Sequence, residues 1–192
     1  MQVLIDSISQ YISPSSGLVG CLSDRIKQVN FNKGDLVHDA HKICKHSYFI
    51  VSGIFRLYYI KPDGREVSDF FATEKTWINS PVSFMQQKLD DYYMDAIEDS
   101  VALALGVEDL VYLFDHFPEM ERYSRLDMGT FFCHVMSRIA SLRFTTAEEK
   151  YQHFCATHDD MKQRIPLHMV ASYMGVTQET LSRIRAKNKA AF

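Results

Sequence analysis

Nowhere in the 192 residues is there an apolar run long enough to cross a membrane as a helix. The first residues, MQVLIDSISQYISPSSG, carry neither a basic n-region nor a small-residue cleavage site, so no secretion signal is expected. Cysteine is sparse. Cys21, Cys44, Cys133 and Cys155 are widely spaced and no two form a C-x-x-C pair. That speaks against a disulfide framework, a metal site of clustered ligands or an iron–sulfur cluster, and for reduced thiols in a cytoplasm. Eight histidines are candidate haem ligands but follow no pattern. There is no internal repeat, no low-complexity run, no nucleophile–base constellation and no glycine-rich phosphate loop. An enzyme is not expected, and neither is a metal or cofactor.

What is present is ordinary for a globular protein: 46% hydrophobic and 23% charged residues. The length suits one large domain or two small ones, and either can bury a core. The net charge of −3 is uneven. From Met161 onward the bases are Lys162, Arg164, Arg183, Arg185, Lys187 and Lys189, against the single acid Glu179. That segment carries five net positive charges, which leaves −8 on the rest. A basic end on an acidic body fits an anionic partner, or else a solvated basic helix.

Helical patterns over roughly 2–12 and 17–28 flank a Pro14–Gly17 break. From Val29 to Val107 the pattern becomes short aromatic and β-branched runs separated by turn residues, a signature of a small barrel or sandwich. Lys61-Pro62-Asp63-Gly64 reads as a hairpin turn, and Gly34 and Gly53 as further turns or bulges. The period then changes. Glu108–Phe117 reads as a short helix stopped by Pro118. Over Glu119–Arg143 the residues Met128, Phe131, Val135, Ile139 and Leu142 form a helical stripe flanked by Phe132, Met136 and Ala140. So wide an apolar face needs two covers, the barrel and a symmetric copy of the same helix, unless the helix is wholly internal. A capping box is expected at Thr145 with Glu148 or Thr146 with Glu149, and Arg143–Asp160 reads as a hinge into a second, small domain.

LHMVASYMGVTQETLSRIRA, from Leu167 to Ala186, has the spacing of a helix-turn-helix. Small Ala171 lets two helices approach, Gly175 takes the turn, and Val170, Met174, Val176, Leu181 and Ile184 join the helices. Thr177 caps the second helix. That helix exposes Gln178, Glu179, Thr180, Ser182, Arg183 and Arg185. Glutamine, glutamate and arginine are suited to base edges. Glu179 and Arg183, four apart, can also brace each other. Thr177, Thr180, Arg185, Lys187 and Lys189 suit phosphates. A plain αα-hairpin is the simpler alternative.

The order of β-rich unit, long helix and helix-turn-helix resembles the CRP/FNR family of bacterial transcription regulators, most specifically in VTQETLSRI. Glu179, Thr180 and Arg183 match the recognition helix of the catabolite activator branch, with Gln178 in place of its first Arg. The resemblance implies an α+β chain. Residues 1–117 would form a cyclic-nucleotide-binding-like jelly-roll barrel with N-terminal helices, 118–144 a dimerisation helix and 145–192 a DNA-binding domain. It implies a homodimer through Met128, Phe131, Phe132, Val135, Met136 and Ile139. Such a dimer would sit on a pseudo-palindromic double-stranded DNA operator with half-sites about 34 Å apart. RNA polymerase would be a further partner if the protein activates. The sequence ends a few residues past the recognition helix, so a C-terminal wing is not expected; MKQRIP could supply one strand ahead of the motif.

The family's ligand cassette carries a Gly-Glu pair and then Arg-Ser/Thr-Ala. Within SPVSFMQQKLDDYYMDAIED, which has five acids and one lysine, Asp90-Asp91-Tyr92 stands at the second motif and Asn79–Val82 at the first. The expected pocket, formed by Ser80, Val82, Ser83, Asp90, Asp91 and Tyr92, is therefore degenerate. Two desolvated like charges would cost roughly several kcal/mol. Lys88 would replace the clamp only if its loop shifted. The expected function is a DNA-binding regulator unresponsive to cyclic AMP, its effector unknown. The alternatives are a cyclic-nucleotide-responsive regulator with an atypical clamp, or a docking module that no longer reads DNA.

Overall fold

The computed structural model describes residues 1–143 and 146–189. Two helices, α1 (Gln2–Ser9) and α2 (Ser16–Arg25), precede eight strands: β1 (Lys27–Phe31), β2 (Leu36–His38), β3 (His46–Ser52), β4 (Phe55–Ile60), β5 (Glu66–Ala72), β6 (Trp77–Ile78), β7 (Tyr92–Ala96) and β8 (Ser100–Gly106). A short helix, α3 (Pro81–Gln86), lies between β6 and β7. Then come α4 (Val107–His116), α5 (Pro118–Leu142), α6 (Ala147–Thr157), α7 (Leu167–Met174) and α8 (Gln178–Lys189). Both N-terminal helices end about three residues before the sequence pattern does, and the first strand starts at Lys27 rather than Val29.

The strands form two antiparallel four-stranded sheets, ordered β1-β8-β3-β6 and β2-β7-β4-β5. Consecutive strands alternate between the sheets except at the β4–β5 hairpin, which is the jelly-roll arrangement. That hairpin turns at Lys61–Gly64, with Gly64 at φ +81° and its N–H bonded to the Lys61 carbonyl at 2.9 Å. Between the sheets lie Ile50, Phe55, Leu57, Ile78, Met94 and Ala102, with Phe31, Tyr48, Phe70 and Tyr92 packed against them. Phe31 meets both Tyr48 and Phe55 edge-on, so aromatic side chains fill much of the interior.

A second core joins the N-terminal helices to the outer face of the first sheet, through Leu4, Ile8, Leu18 and Leu22 against Phe49, Leu103, Leu105, Leu113 and Met120. Ser15 caps α2 by accepting from the Leu18 N–H at 3.2 Å and donates to Glu119 at 2.6 Å. The start of α5 is fastened there too, where the Trp77 indole donates to the Tyr123 hydroxyl at 2.9 Å.

The third core unites the C-terminal helices with the barrel. Phe154, Met161, Ile165, Val170, Tyr173, Met174 and Leu181 share one cluster with Ile54, Phe71 and Ile97. Polar bonds reinforce the contact. Ser172 Oγ accepts from the Ser68 N–H at 3.0 Å and donates to the Glu66 carbonyl at 2.9 Å, at the point where the β4–β5 register slips. Arg164 grips Glu74 at 2.7 Å and also Glu98. Glu74 in turn accepts from the Gly53 N–H at 2.9 Å. Burial alone would raise the Glu74 carboxyl; Arg164 and Thr73 outweigh it and hold the pKa at about 2.

The strand expected in MKQRIP is not formed. Residues 159–164 are turns, with Lys162 N–H bonded to His158 O and Ile165 N–H to Met161 O. Met161 and Ile165, four apart, fall on one side of that turn and enter the shared core. The capping box forms at Thr146 and Glu149, which bond reciprocally at 3.2 and 3.1 Å. The alternative at Thr145 lies outside the described residues. No helix among the described residues is long and apolar enough to cross a membrane.

Candidate nucleic-acid interface and ligand cassette

The α7–α8 unit is built as its sequence demands. Pro166 stands at the N-cap of α7, where a missing N–H costs nothing, and Gly175 ends the helix in the left-handed region at φ +66°. Val170, Ala171, Met174 and Leu181 are buried between the helices and the rest of their core. Thr177 caps α8 by accepting from the Thr180 N–H at 3.2 Å. Gln178, Glu179, Ser182, Arg183 and Lys187 are all exposed, and Thr180 and Arg185 half so. With Leu181 wholly buried beneath them, they form one polar face of a twelve-residue helix.

Three bases of the basic segment have internal partners. Lys162 pairs with Asp159, Arg164 with Glu74 and Glu98, and Lys187 with Glu148 at 3.2 Å. The positive charge counted from sequence is therefore partly neutralised within the fold. No ion pair among the described residues engages Arg183 or Arg185, and none braces Glu179 against Arg183. The Lys189 side chain lies outside the described residues.

Beyond Tyr123, one side of α5 is open. Met128 is 57% exposed, Phe132 63%, Met136 48% and Leu142 47%, with Phe131 and Ile139 near 40% and Val135 half-buried. Phe131 meets Phe70 of β5 edge-on at 5.4 Å, so the barrel covers one side of the helix. The wholly internal arrangement is not what forms. Farther along, the Arg138 guanidinium stacks 3.8 Å above the Tyr173 ring and donates to the Tyr173 carbonyl, tying α5 to α7.

The ligand-cassette segment folds differently from the sequence expectation. It opens with α3, whose N-cap residue Ser80 does not cap it. The cap comes from beyond the helix. Asp90 Oδ2 accepts from the Ser83 N–H at 3.0 Å and from Ser80 Oγ at 2.5 Å, and Oδ1 accepts from the Tyr92 N–H at 3.1 Å. The free N–H of the first turn thus receives a carboxylate supplied by the chain itself, where helix donors and dipole favour an anion. Ser80 and Ser83 are fully buried in this arrangement, while Val82 is exposed. Tyr92 is half-buried, and its hydroxyl donates to Asp69 at 2.6 Å. Burial and that bond both push the phenol pKa up.

The two negative charges expected in place of the phosphate clamp do not both face the pocket. Asp91 is solvent-exposed, and Asp90 alone turns inward, with three hydrogen bonds. The other acids of the segment also have partners. Asp95 clasps the buried Arg56 with two bonds of 3.1 and 2.6 Å, Glu98 pairs with Arg164, and Asp99 accepts from the Lys33 N–H at 2.8 Å. Lys88 is exposed and makes no ion pair among the described residues. No simple sequence signal marks the Asp90 cap, because capping rules look for a residue ahead of the helix rather than four positions after it.

Comparison with known proteins is consistent with this geometry. Residues 28–117 match the family model of the cyclic nucleotide-binding domain. No curated protein sequence matches the chain. Solved structures do match in fold. The c-di-GMP responsive global regulator CLP of Xanthomonas campestris superposes with a TM-score of 0.74 at 12% identity, over 92% of this chain and 93% of that one. A CooA mutant from Carboxydothermus hydrogenoformans gives 0.73 at 14% identity, over 98% and 84%. A CRP/FNR-family transcriptional regulator from Thermus thermophilus gives 0.67 at 12% identity, over 86% and 87%.

Proposed function

We propose that this chain, a cyclic nucleotide-binding-type domain joined by a long helix to a helix-turn-helix in the fold of the CRP/FNR regulators, is a sequence-specific DNA-binding transcription regulator. The observation that carries the proposal is α8. It is capped, anchored by buried Leu181, and turns Gln178, Glu179, Ser182 and Arg183 outward on one face. A structural αα-hairpin has no need for that exposed set of polar side chains, nor for Arg183 and Arg185, which no ion pair among the described residues engages. Gln178, Glu179 and Arg183 would read base edges, while Thr177, Thr180, Ser182, Arg185 and Lys187 would hold phosphates. The exposed α5 face through Met128, Phe131, Phe132, Val135, Met136 and Ile139 would pair two copies and set two α8 helices on a pseudo-palindromic operator. The site of action is then the cytoplasm, with RNA polymerase a partner if the protein activates.

Arg183→Ala is expected to cost about 1–3 kcal/mol of operator binding and to relax preference at one base pair. Fluorescence anisotropy on duplexes varied at single positions measures both. Unchanged affinity and unchanged preference would remove α8 from the reading role.

The barrel is proposed not to respond to cyclic AMP. In place of a guanidinium and free N–H donors, the cassette presents Asp90 already bonded to Ser80, Ser83 and Tyr92. A phosphate entering there would meet a fixed negative charge and lose the donors it needs. Calorimetry with cyclic AMP and cyclic GMP is expected to give no binding heat at physiological concentrations; a micromolar affinity would contradict the Asp90 argument.

A further inference from the structure

A cleft of about 550 Å³ opens between β2 and β3, walled by those strands and the loop 39–45 that joins them. We propose that it binds a small organic anion with an apolar body, such as an aromatic or branched aliphatic carboxylate. The cleft has the volume of typical small-molecule sites; Asp90 is not part of its lining, although its charge acts on His38 at the cleft.

Three features of the lining point to that class. Val37, Ile43 and Tyr48 supply an apolar wall. Lys42 and Lys45 stand at the rim, both exposed, with His46 beside them. The one acid in the lining, Asp39, is already engaged: it accepts from the His41 N–H at 3.0 Å and lies 3.9 Å from the Lys42 ammonium. The rim therefore keeps a net positive charge for an incoming carboxylate.

The third feature is His38. It lines the cleft, is only 7% exposed, and its Nε2 has no hydrogen-bond partner. Buried polar atoms are nearly always paired, and only one other side-chain atom among the described residues, Ser68 Oγ, is left so. Burial lowers the His38 pKa, which favours a neutral ring. Nε2 itself is closed to solvent, so an occupant packs against the imidazole ring rather than bonding to it, a contact suited to the apolar body of the ligand.

The cleft is held open in advance. The Cys44 N–H donates to Ser83 Oγ at 2.9 Å, Gln87 Nε2 donates to the Cys44 carbonyl at 3.2 Å, and the Val107 N–H donates to the Lys45 carbonyl at 3.1 Å. A loop fixed by three bonds loses little freedom when a ligand arrives. Two of those bonds run to α3 and the residue that ends it, so an occupant would press on the same short helix that Asp90 caps. Ligand binding here does not depend on whether α8 reads DNA.

The test is a titration of the full chain with benzoate at millimolar concentrations, followed through the histidine ring resonances. The His38 ring signal is expected to shift along a saturable single-site curve. Benzyl alcohol, of similar shape but uncharged, is expected to leave it in place. Lys42→Glu with Lys45→Glu, both on exposed residues, is expected to weaken benzoate binding at least about tenfold. Absence of a His38 shift, an equal shift with benzyl alcohol, or undiminished binding in the double variant would each overturn the proposal.

Discussion

Glutamate at both Phe132 and Met136 is expected to leave the protein monomeric and to lower its affinity for a palindromic duplex by at least about 100-fold. Both side chains lie on the open face of α5, four residues apart, and are roughly half or more exposed in the single chain. Substitution there disturbs little within one copy, so circular dichroism and thermal stability should hardly change. In the proposed symmetric pair the same positions would be buried against their counterparts, and each substitution would act twice. Desolvating several like charges at the centre of a helix–helix seam costs several kcal/mol, roughly the whole stabilisation such a seam provides. The DNA effect follows from the loss of pairing. Two linked half-site contacts gain about 10²–10⁴ over one through effective concentration, and a monomer forfeits that gain. Light scattering gives the mass and anisotropy the affinity. A monomer that still bound the full operator tightly would separate pairing from DNA binding; an unchanged mass would move the interface off α5.

Gly53→Ala is expected to be the most damaging single substitution in the barrel. Gly53 turns β3 into β4 at φ +103°, a region L-residues avoid. A Cβ there would lie 2.0 Å from Ser100 Oγ, 2.6 Å from Ser100 Cβ and 2.9 Å from Ser100 Cα. Rotating the serine relieves the first contact but not the other two, so the β3–β4 turn or the start of β8 must move. That movement would also disturb the Gly53 N–H bond to Glu74, and with it the Arg164 link to the C-terminal helices. The expected loss is about 3–5 kcal/mol, a large share of the roughly 5–15 kcal/mol that holds a typical domain folded. Gly64→Ala provides the comparison. Its φ is +81° but nothing lies within 4 Å of its would-be Cβ, so only backbone strain, about 1 kcal/mol, should appear. Urea denaturation distinguishes the two. Equal losses would mean that the close approach to Ser100 is relieved without cost.

Much of this architecture is legible in the residues because it rests on local rules. Gly34, Gly53 and Gly64 mark turns, since each adopts a positive φ. The α7–α8 unit declares itself through small Ala171, turning Gly175 and capping Thr177. The long stripe from Met128 to Leu142 gives α5 and its unsatisfied face. What stays hidden depends on partners distant in the chain. The helix α3 has only six residues and no cap of its own. It persists because Cys44, Asp90 and Gln87 bond to it or to its ends, and no propensity reveals that. MKQRIP is ambiguous because Met161 and Ile165 share a face both in a strand and in a helical turn; the shared core with Ile54 and Phe71 decides for the turn. Ser172 reads as an ordinary helix residue until the slipped register of β5 offers it an N–H and a carbonyl.

The acid-rich segment illustrates the same division. The sequence count of carboxylates is right, but their meaning changes with their partners. Asp95, Glu98 and Asp99 fasten the barrel, Asp91 faces water, and Asp90 seals the turn where an anion would otherwise be welcome. Arg164 is the counterpart on the basic side, a residue suited to DNA by composition and bound to the barrel by geometry.

The most direct test of the central proposal is selection of bound duplexes from a random pool by the purified full chain. A dimeric operator-reading regulator is expected to enrich a pseudo-palindrome whose half-site centres are about 10–10.5 base pairs apart, one helical turn. Failure to enrich any sequence over the starting pool, at salt low enough for phosphate contacts to hold, would contradict it.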